Sequence, residues 1–168
     1  MDISNKTFVV VGTGKSGVAA AELLLRHAKK VYLYDGNEAL DVAAFRKQHQ
    51  SLEAVELILG TLPAEIETTL DIAVLSPGVP LDIPVVEQMK AQGICIWGEI
   101  ELAYVLGKGK VVAITGTNGK TTTTTLVGQI MARHFAKVQV VGNIGIPYTS
   151  VVEDTTEDTV VVAEISSF

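Results

Sequence analysis

Twice in this chain a run of apolar residues breaks into a glycine-rich turn and continues at once as a helix: "FVVVGTGKSGVAAAELLL" near the start and "VVAITGTNGKTTTTTLVG" beyond the middle. A strand followed this closely by a helix cannot return as a hairpin. It must cross over and rejoin the sheet parallel to the strand it left. The remainder keeps that rhythm. "KKVYLYD", Val55 to Leu59, Asp71 to Ser76 and Ile94 to Trp97 read as strands. Helices are expected over Leu40 to Gln48 and within "LDIPVVEQMKAQG", with a short amphipathic piece between Leu59 and Asp71. Ser16 is placed to cap the first helix and Asp82 the later one, where Pro84 sits in the first turn and Gly93 at the end. Alternation of this kind predicts an α/β fold with a parallel sheet and helices on both faces.

"GKGK", Gly107 to Lys110, interrupts the pattern with a small, flexible, basic break. A domain boundary is expected there, dividing a Rossmann-like unit, 1–106, from the start of a second α/β unit, 107–168. The second unit reads as the strand "VVAIT", a helix from Gly119 to about Arg133, and the strands "KVQVV" and "TVVVAEI". The last strand runs directly into "SSF", so the chain is expected to be part of a longer protein.

With 48% hydrophobic and 19% charged residues the chain can build a core. Its net charge of -6 argues against a nucleic-acid surface, which needs clustered Lys and Arg. No segment approaches the roughly 20 apolar residues that cross a bilayer, and "MDISNKTFVVVG" is too brief an apolar run for a signal peptide. A cytoplasmic protein without membrane insertion is the expectation. Cys95 is the single cysteine, read as a small buried thiol, and His27, His49 and His134 read as surface residues on helices.

Gly12, Gly14 and Gly17 have the G-x-G-x-x-G spacing, and Asp35 closes the next strand. Such glycines allow a tight turn and close approach to a pyrophosphate at a helix N-terminus, while the acid can reach a ribose hydroxyl. A nicotinamide cofactor, a flavin and a nucleotide sugar all fit, and so do glycines kept only for helix packing. In "ITGTNGKTT" the backbone N–H groups at Asn118, Gly119, Lys120 and Thr121 can converge on an anion. Lys120 would reach terminal phosphates and the Thr121 hydroxyl a magnesium ion. The usual first glycine of a P-loop is replaced by Ile114, which falls inside the preceding strand, so the loop is shortened. Thr122 can add a phosphate hydrogen bond, whereas Thr123 to Thr125 read as surface or half-buried helix positions. Glu164 ends a hydrophobic strand at the ligand-bearing edge of the sheet, where a carboxylate can hold magnesium or simply be solvated.

"TGTNGKTT", together with "GTGKSG", "LSPGVP", "GEIELA", "GNIG" and "EISSF", resembles the Mur ligases over the whole chain. The leading nucleotide-binding domain sets it apart from the folylpolyglutamate synthetases that share the shortened loop. The resemblance implies an ATP-dependent ligase that uses ATP and Mg2+ to join D-glutamate to UDP-N-acetylmuramoyl-L-alanine through an acyl phosphate, with a P-loop ATPase-like central domain. It implies ATP contacts at Gly116, Thr117, Asn118, Gly119, Lys120, Thr121 and Thr122, with Lys120 catalytic and magnesium held by Thr121 and Glu164. Uridine-nucleotide contacts are implied at Gly14, Lys15, Ser16, Gly17, Asp35, Gly36, Asn37, Ser76, Pro77, Gly78 and Asn143. On this resemblance the 168 residues bind the UDP moiety without completing the reaction alone.

Overall fold

The computed structural model describes residues 1–143 and 145–166, which form two compact units, Met1–Glu99 and Ile100–Phe168. Ile144 of "GNIG" and Ser167 and Phe168 of "EISSF" lie outside the described residues.

The first unit is a five-stranded parallel sheet of β1 (Thr7–Val11), β2 (Lys30–Asp35), β3 (Glu56–Leu59), β4 (Ile72–Leu75) and β5 (Cys95–Gly98), in the order β3-β2-β1-β4-β5. The central strands β1 and β4, "TFVVV" and "IAVL", are buried along their whole length, as strands covered on both faces must be. Register pairs Val11 with Tyr34 and with Leu75, bringing three strand ends level. α1 (Lys15–His27) packs on β1, β2 and β4 through Val18, Ala20, Leu23 and Leu24. A separate buried cluster joins Val9, Val11, Tyr32, Tyr34, Ala73 and Leu75 to Val86 and Met89 of α4 (Pro84–Ala91). Residues one apart on a strand face opposite sides, so Val9 and Val11 of this cluster share one face of the sheet while the equally buried Phe8 and Val10 point to the other. α2 (Val42–Gln48) and the single turn α3 (Ala64–Glu67) complete the connections. At the other edge of the sheet the Lys6 ammonium and the Thr7 N–H both donate to Asp71, holding its carboxyl below the usual range.

Helix starts differ from expectation in two places. Gly14, extended at ψ 179, is the N-cap of α1, which puts Ser16 inside the helix. Ile83 is the N-cap of α4, because Pro84 occupies the first helical position and leaves Asp82 one residue too early. The far end of α4 does stop at glycine. Gly93, at φ +79, donates to Lys90 O and Ile94 donates to Met89 O, the paired bonds of a Schellman close. Cys95 is exposed rather than buried, since it opens the edge strand β5 and has a neighbouring strand on one side only. His49 is half-buried against Phe45, ring centroids 4.7 Å apart, whereas His27 and His134 lie on the surface.

The second unit holds all but the first residue of α5 (Glu99–Leu106), then β6 (Lys110–Ile114), α6 (Lys120–Ala132), β7 (Val138–Gly142) and β8 (Val160–Glu164), its strands parallel in the order β6-β8-β7. β8, "VVVAE", is buried throughout because it runs between the other two. The "GKGK" segment is tied down. Lys108 N–H donates to Thr155 Oγ1 at 2.9 Å, and a Cβ on Gly109, φ +99, would stand 2.4 Å from Thr159 O. Thr124 is fully buried, against the expected surface or half-buried position, and its hydroxyl is satisfied by Lys120 O at 2.8 Å. Among the described residues no helix is long and apolar enough to cross a membrane.

Gly17 is where the first unit is tightest. A Cβ there would lie 1.9 Å from Gly12 O, backbone that cannot step aside. Beside Gly14 nothing lies within 4 Å. Gly17→Ala is therefore expected to destabilise the unit by about 2–4 kcal/mol, and Gly14→Ala by about 1 kcal/mol or less, the cost of alanine at an N-cap. Urea denaturation of both variants checks the order.

Candidate functional site

In a parallel sheet, ligands settle outside the carboxyl ends of the strands where the chain leaves two neighbouring strands in opposite directions. In the first unit that point lies between β1 and β4, since β2 and β3 extend the sheet on one side and β5 on the other. The loop 12–14 and the turn 76–79 issue from those two strands. Ser76 N–H donates to Val11 O at 3.0 Å, Val79 N–H closes the turn onto Ser76 O at 2.9 Å, and the Ser76 hydroxyl lies 3.4 Å from Gly12 O. Gly14, Lys15 and Gly78 are exposed at this mouth, Ser16 and Pro77 are half-buried, and Gly17 is enclosed by packing. The first amides of α1 have no acceptor within the helix and carry the positive end of its dipole.

Asp35 closes the adjacent strand β2, and the structure shows what occupies it. Oδ2 accepts from the Thr13 N–H at 2.9 Å and the Thr13 hydroxyl at 2.5 Å, and Oδ1 accepts from the Asn37 N–H at 3.0 Å. Burial pushes the carboxyl up, but these hydrogen bonds outweigh it and hold the group below its ordinary value. Gly36 and Asn37 are exposed, and the Asn37 side-chain oxygen accepts from Ala39 N–H at 3.0 Å, leaving its amide nitrogen as the outward donor. Thr13 is the residue that sequence reasoning missed. Its signal was available: a hydroxyl between the first two glycines of the motif, with an acid at the end of the neighbouring strand.

In the second unit the loop between β6 and α6 is shaped by two glycines in the left-handed half of backbone space, Gly116 at φ +143 and the N-cap Gly119 at φ +75. Neither is crowded: a Cβ on Gly116 would meet nothing nearer than 3.9 Å, and one on Gly119 nothing within 4 Å. Their conformation demands glycine, and the bare space beside them suits an incoming anion. Thr117 and Asn118 form the exposed crest. The first amides of α6, from Lys120 to Thr122, have no acceptor in their own helix. Lys120 bends back across the loop, its Nζ donating to Gly116 O at 2.8 Å.

Pairing of Ile114 with Glu164 sets the two strand ends side by side, and Thr121 Oγ1 donates to Glu164 Oε2 at 2.9 Å. Glu164 is only 5% exposed, so this hydroxyl satisfies a carboxylate that burial would otherwise penalise. Adjacent oxygens around an octahedral magnesium with bonds of about 2.0–2.1 Å lie about 2.9 Å apart. The pair thus fits one edge of such a shell. Asn143 follows β7, its N–H on Glu164 O at 3.3 Å and its Nδ2 on Ser166 Oγ at 2.5 Å, so it stands at the same sheet edge as the loop between β6 and α6.

Comparison with known proteins matches residues 6–98 to the family described as Mur ligase MurD-like, N-terminal domain, and residues 114–168 to the Mur ligase middle domain. The chain is 53% identical over 168 residues to the UDP-N-acetylmuramoylalanine--D-glutamate ligase of Lachnospira eligens and 50% identical over 168 residues to that of Lachnoclostridium phytofermentans. Both alignments cover 100% of this chain and 37% of the relative, so the chain spans little more than a third of the curated relatives it matches. Among solved structures, a murein peptide ligase from Psychrobacter arcticus shares the fold with a TM-score of 0.53 at 21% identity, over 95% of this chain and 37% of that one.

The lowered pKa of Asp35 has a consequence for stability. Its contribution is complete above the unfolded value of 3.8 and is lost as pH falls through the lower folded value. Asp35→Asn is expected to remove that part of the acid-side loss, giving a shallower fall in melting temperature below the ordinary carboxylate range. A calorimetric pH series on wild type and variant measures it.

Proposed function

The chain belongs to the Mur ligase family, and from that we propose that it is the uridine-nucleotide- and triphosphate-binding part of an ATP-dependent ligase joining D-glutamate to UDP-N-acetylmuramoyl-L-alanine. The observation that carries this reading is the Gly116–Thr122 loop with Glu164 beside it: a glycine-shaped anion seat, a lysine and a hydroxyl–carboxylate pair spaced for a metal edge. Identity of 53% along the whole chain supports the choice of substrate. We place the functional boundary at residue 107, between the two matched segments, and the reading carries a cytoplasmic setting.

In the reaction proposed, the alanine carboxylate of the substrate takes the γ-phosphoryl group of ATP, and the D-glutamate amine displaces phosphate from the resulting acyl phosphate. Residues Gly116, Thr117, Asn118, Gly119, Lys120, Thr121 and Thr122 cradle the phosphates through backbone amides and hydroxyls. Lys120 leaves Gly116 O and places its ammonium on the transferring group, where charge accumulates. The Thr121 hydroxyl and the Glu164 carboxylate would hold magnesium, which when bound neutralises phosphate oxygens. To serve that role Thr121 gives up its hydrogen bond to Glu164, and both oxygens then act as acceptors. At the other end of the substrate, Gly14, Lys15, Ser16 and Gly17 meet the diphosphate, and Ser76, Pro77 and Gly78 line the opposite wall of the crevice. Asp35, Gly36 and Asn37 receive the nucleoside, and Asn143 the sugar-pyrophosphate stretch.

Two measurements test this. Calorimetric titration of the 168-residue chain is expected to give UDP as the tightest of UDP, NAD and ATP-magnesium; preference for NAD would point instead to an oxidoreductase. In the full-length protein, Lys120→Ala is expected to slow phosphate release by about 100-fold or more, the scale of losing one preorganised electrostatic group, and an unchanged rate would refute the role given to the loop.

A further inference from the structure

Asp35 is a ligand-facing residue whose inner lone pairs are already spoken for. Thr13 supplies two of its hydrogen bonds to one oxygen, through the backbone at 2.9 Å and the hydroxyl at 2.5 Å, and Asn37 N–H supplies one to the other. Gly12 N–H adds a bond to Tyr34 O at 2.7 Å, so two successive residues of the glycine loop are tied to the end of β2. A carboxylate held this way cannot rotate freely. It presents its remaining lone pairs in one direction, and it offers an acceptor but no donor.

Resting on the reading of this crevice as a uridine-nucleotide site, we propose that Thr13 is a positioning residue for nucleotide recognition: its hydroxyl aims the Asp35 carboxylate so that it accepts an N–H or O–H from the nucleoside. A hydroxyl, rather than any side chain that merely fills the space, is required. Valine at this position keeps the volume and the backbone bond but loses the 2.5 Å contact, whereas serine keeps both bonds.

The same geometry predicts a pH signature. The Thr13 and Asn37 hydrogen bonds overcome the upward push of burial on Asp35. Near it stand Tyr34 on the same strand, whose hydroxyl donates to Gly60 O at 2.6 Å, and Glu38, whose side chain lies over Gly60, the residue whose N–H donates to Asp35 O. Removing the Thr13 hydroxyl raises the Asp35 pKa and leaves these neighbours in place.

Binding of UDP to the 168-residue chain tests the proposal, followed from neutral pH down through the carboxylate range for wild type, Thr13→Val and Thr13→Ser. Thr13→Val is expected to weaken UDP binding about tenfold, the loss of one hydrogen bond to a charged group, and to move the acid limb of binding to higher pH. Thr13→Ser is expected to restore both. A Thr13→Val profile that overlays wild type, or a defect that serine does not rescue, overturns the role of Thr13 while leaving the site itself intact. Wild type that fails to bind UDP overturns the underlying reading as well. A further measurement needs no variant: the carboxyl resonance of wild-type Asp35 should titrate at lower pH when UDP is saturating, and an unmoved titration contradicts the proposed contact.

Discussion

Parallel pairing is the constraint from which the functional geometry follows. A parallel strand must return by a crossover, so every strand in each sheet ends at the same edge, and each helix that follows begins there. Loops that are far apart in sequence are thereby delivered to one place. In the first unit the β1 loop, the Asp35 turn and the Ser76 turn come level through the pairing of Val11 with Tyr34 and Leu75. In the second, the glycine loop after β6, Asn143 and Glu164 come level because β8 runs between β6 and β7. None of these groups is a neighbour in sequence of the ones it serves.

Glycine is used at this edge for two opposite purposes. Gly17 and Gly142 are sites of contact, where a Cβ would stand 1.9 Å from Gly12 O and 2.2 Å from Glu164 O, so they let backbones touch. Gly14 and Gly119 are sites of vacancy, with nothing within 4 Å, so they keep the approach to a helix N-terminus bare. The first kind holds each loop in shape; the second leaves the loop's amides reachable. Both kinds occur within one G-x-G-x-x-G segment, so the motif alone cannot distinguish a packing turn from a ligand seat.

Much of the architecture was legible because apolar runs bounded by glycine repeat with helical stretches between them, and buried parallel strands read as continuous Val, Ile and Leu. The identity of the loops followed from their place between strand and helix. What could not be read depended on partners brought in by register. The Thr13–Asp35 bonds exist because β2 lies beside β1, and the Thr121–Glu164 bond because β8 lies beside β6. Helix caps went astray for a local reason: Gly14 already has the extended conformation an N-cap needs, and Pro84 fixes the start of its helix one residue beyond Asp82. Cys95 and Thr124 were misjudged because burial is decided by position in the sheet. The thiol sits on an edge strand, and the hydroxyl of Thr124 is satisfied by its own helix, which lets a polar residue go inside.

The space beside Gly14, between the turns that follow β1 and β4, is the proposed nucleotide seat. A crystal structure of this chain grown with UDP examines that directly. The diphosphate is expected against the N–H groups of Lys15, Ser16 and Gly17, with the nucleoside on the Asp35 side of the crevice. A diphosphate bound elsewhere on the first unit, with that space filled only by solvent, would contradict the account.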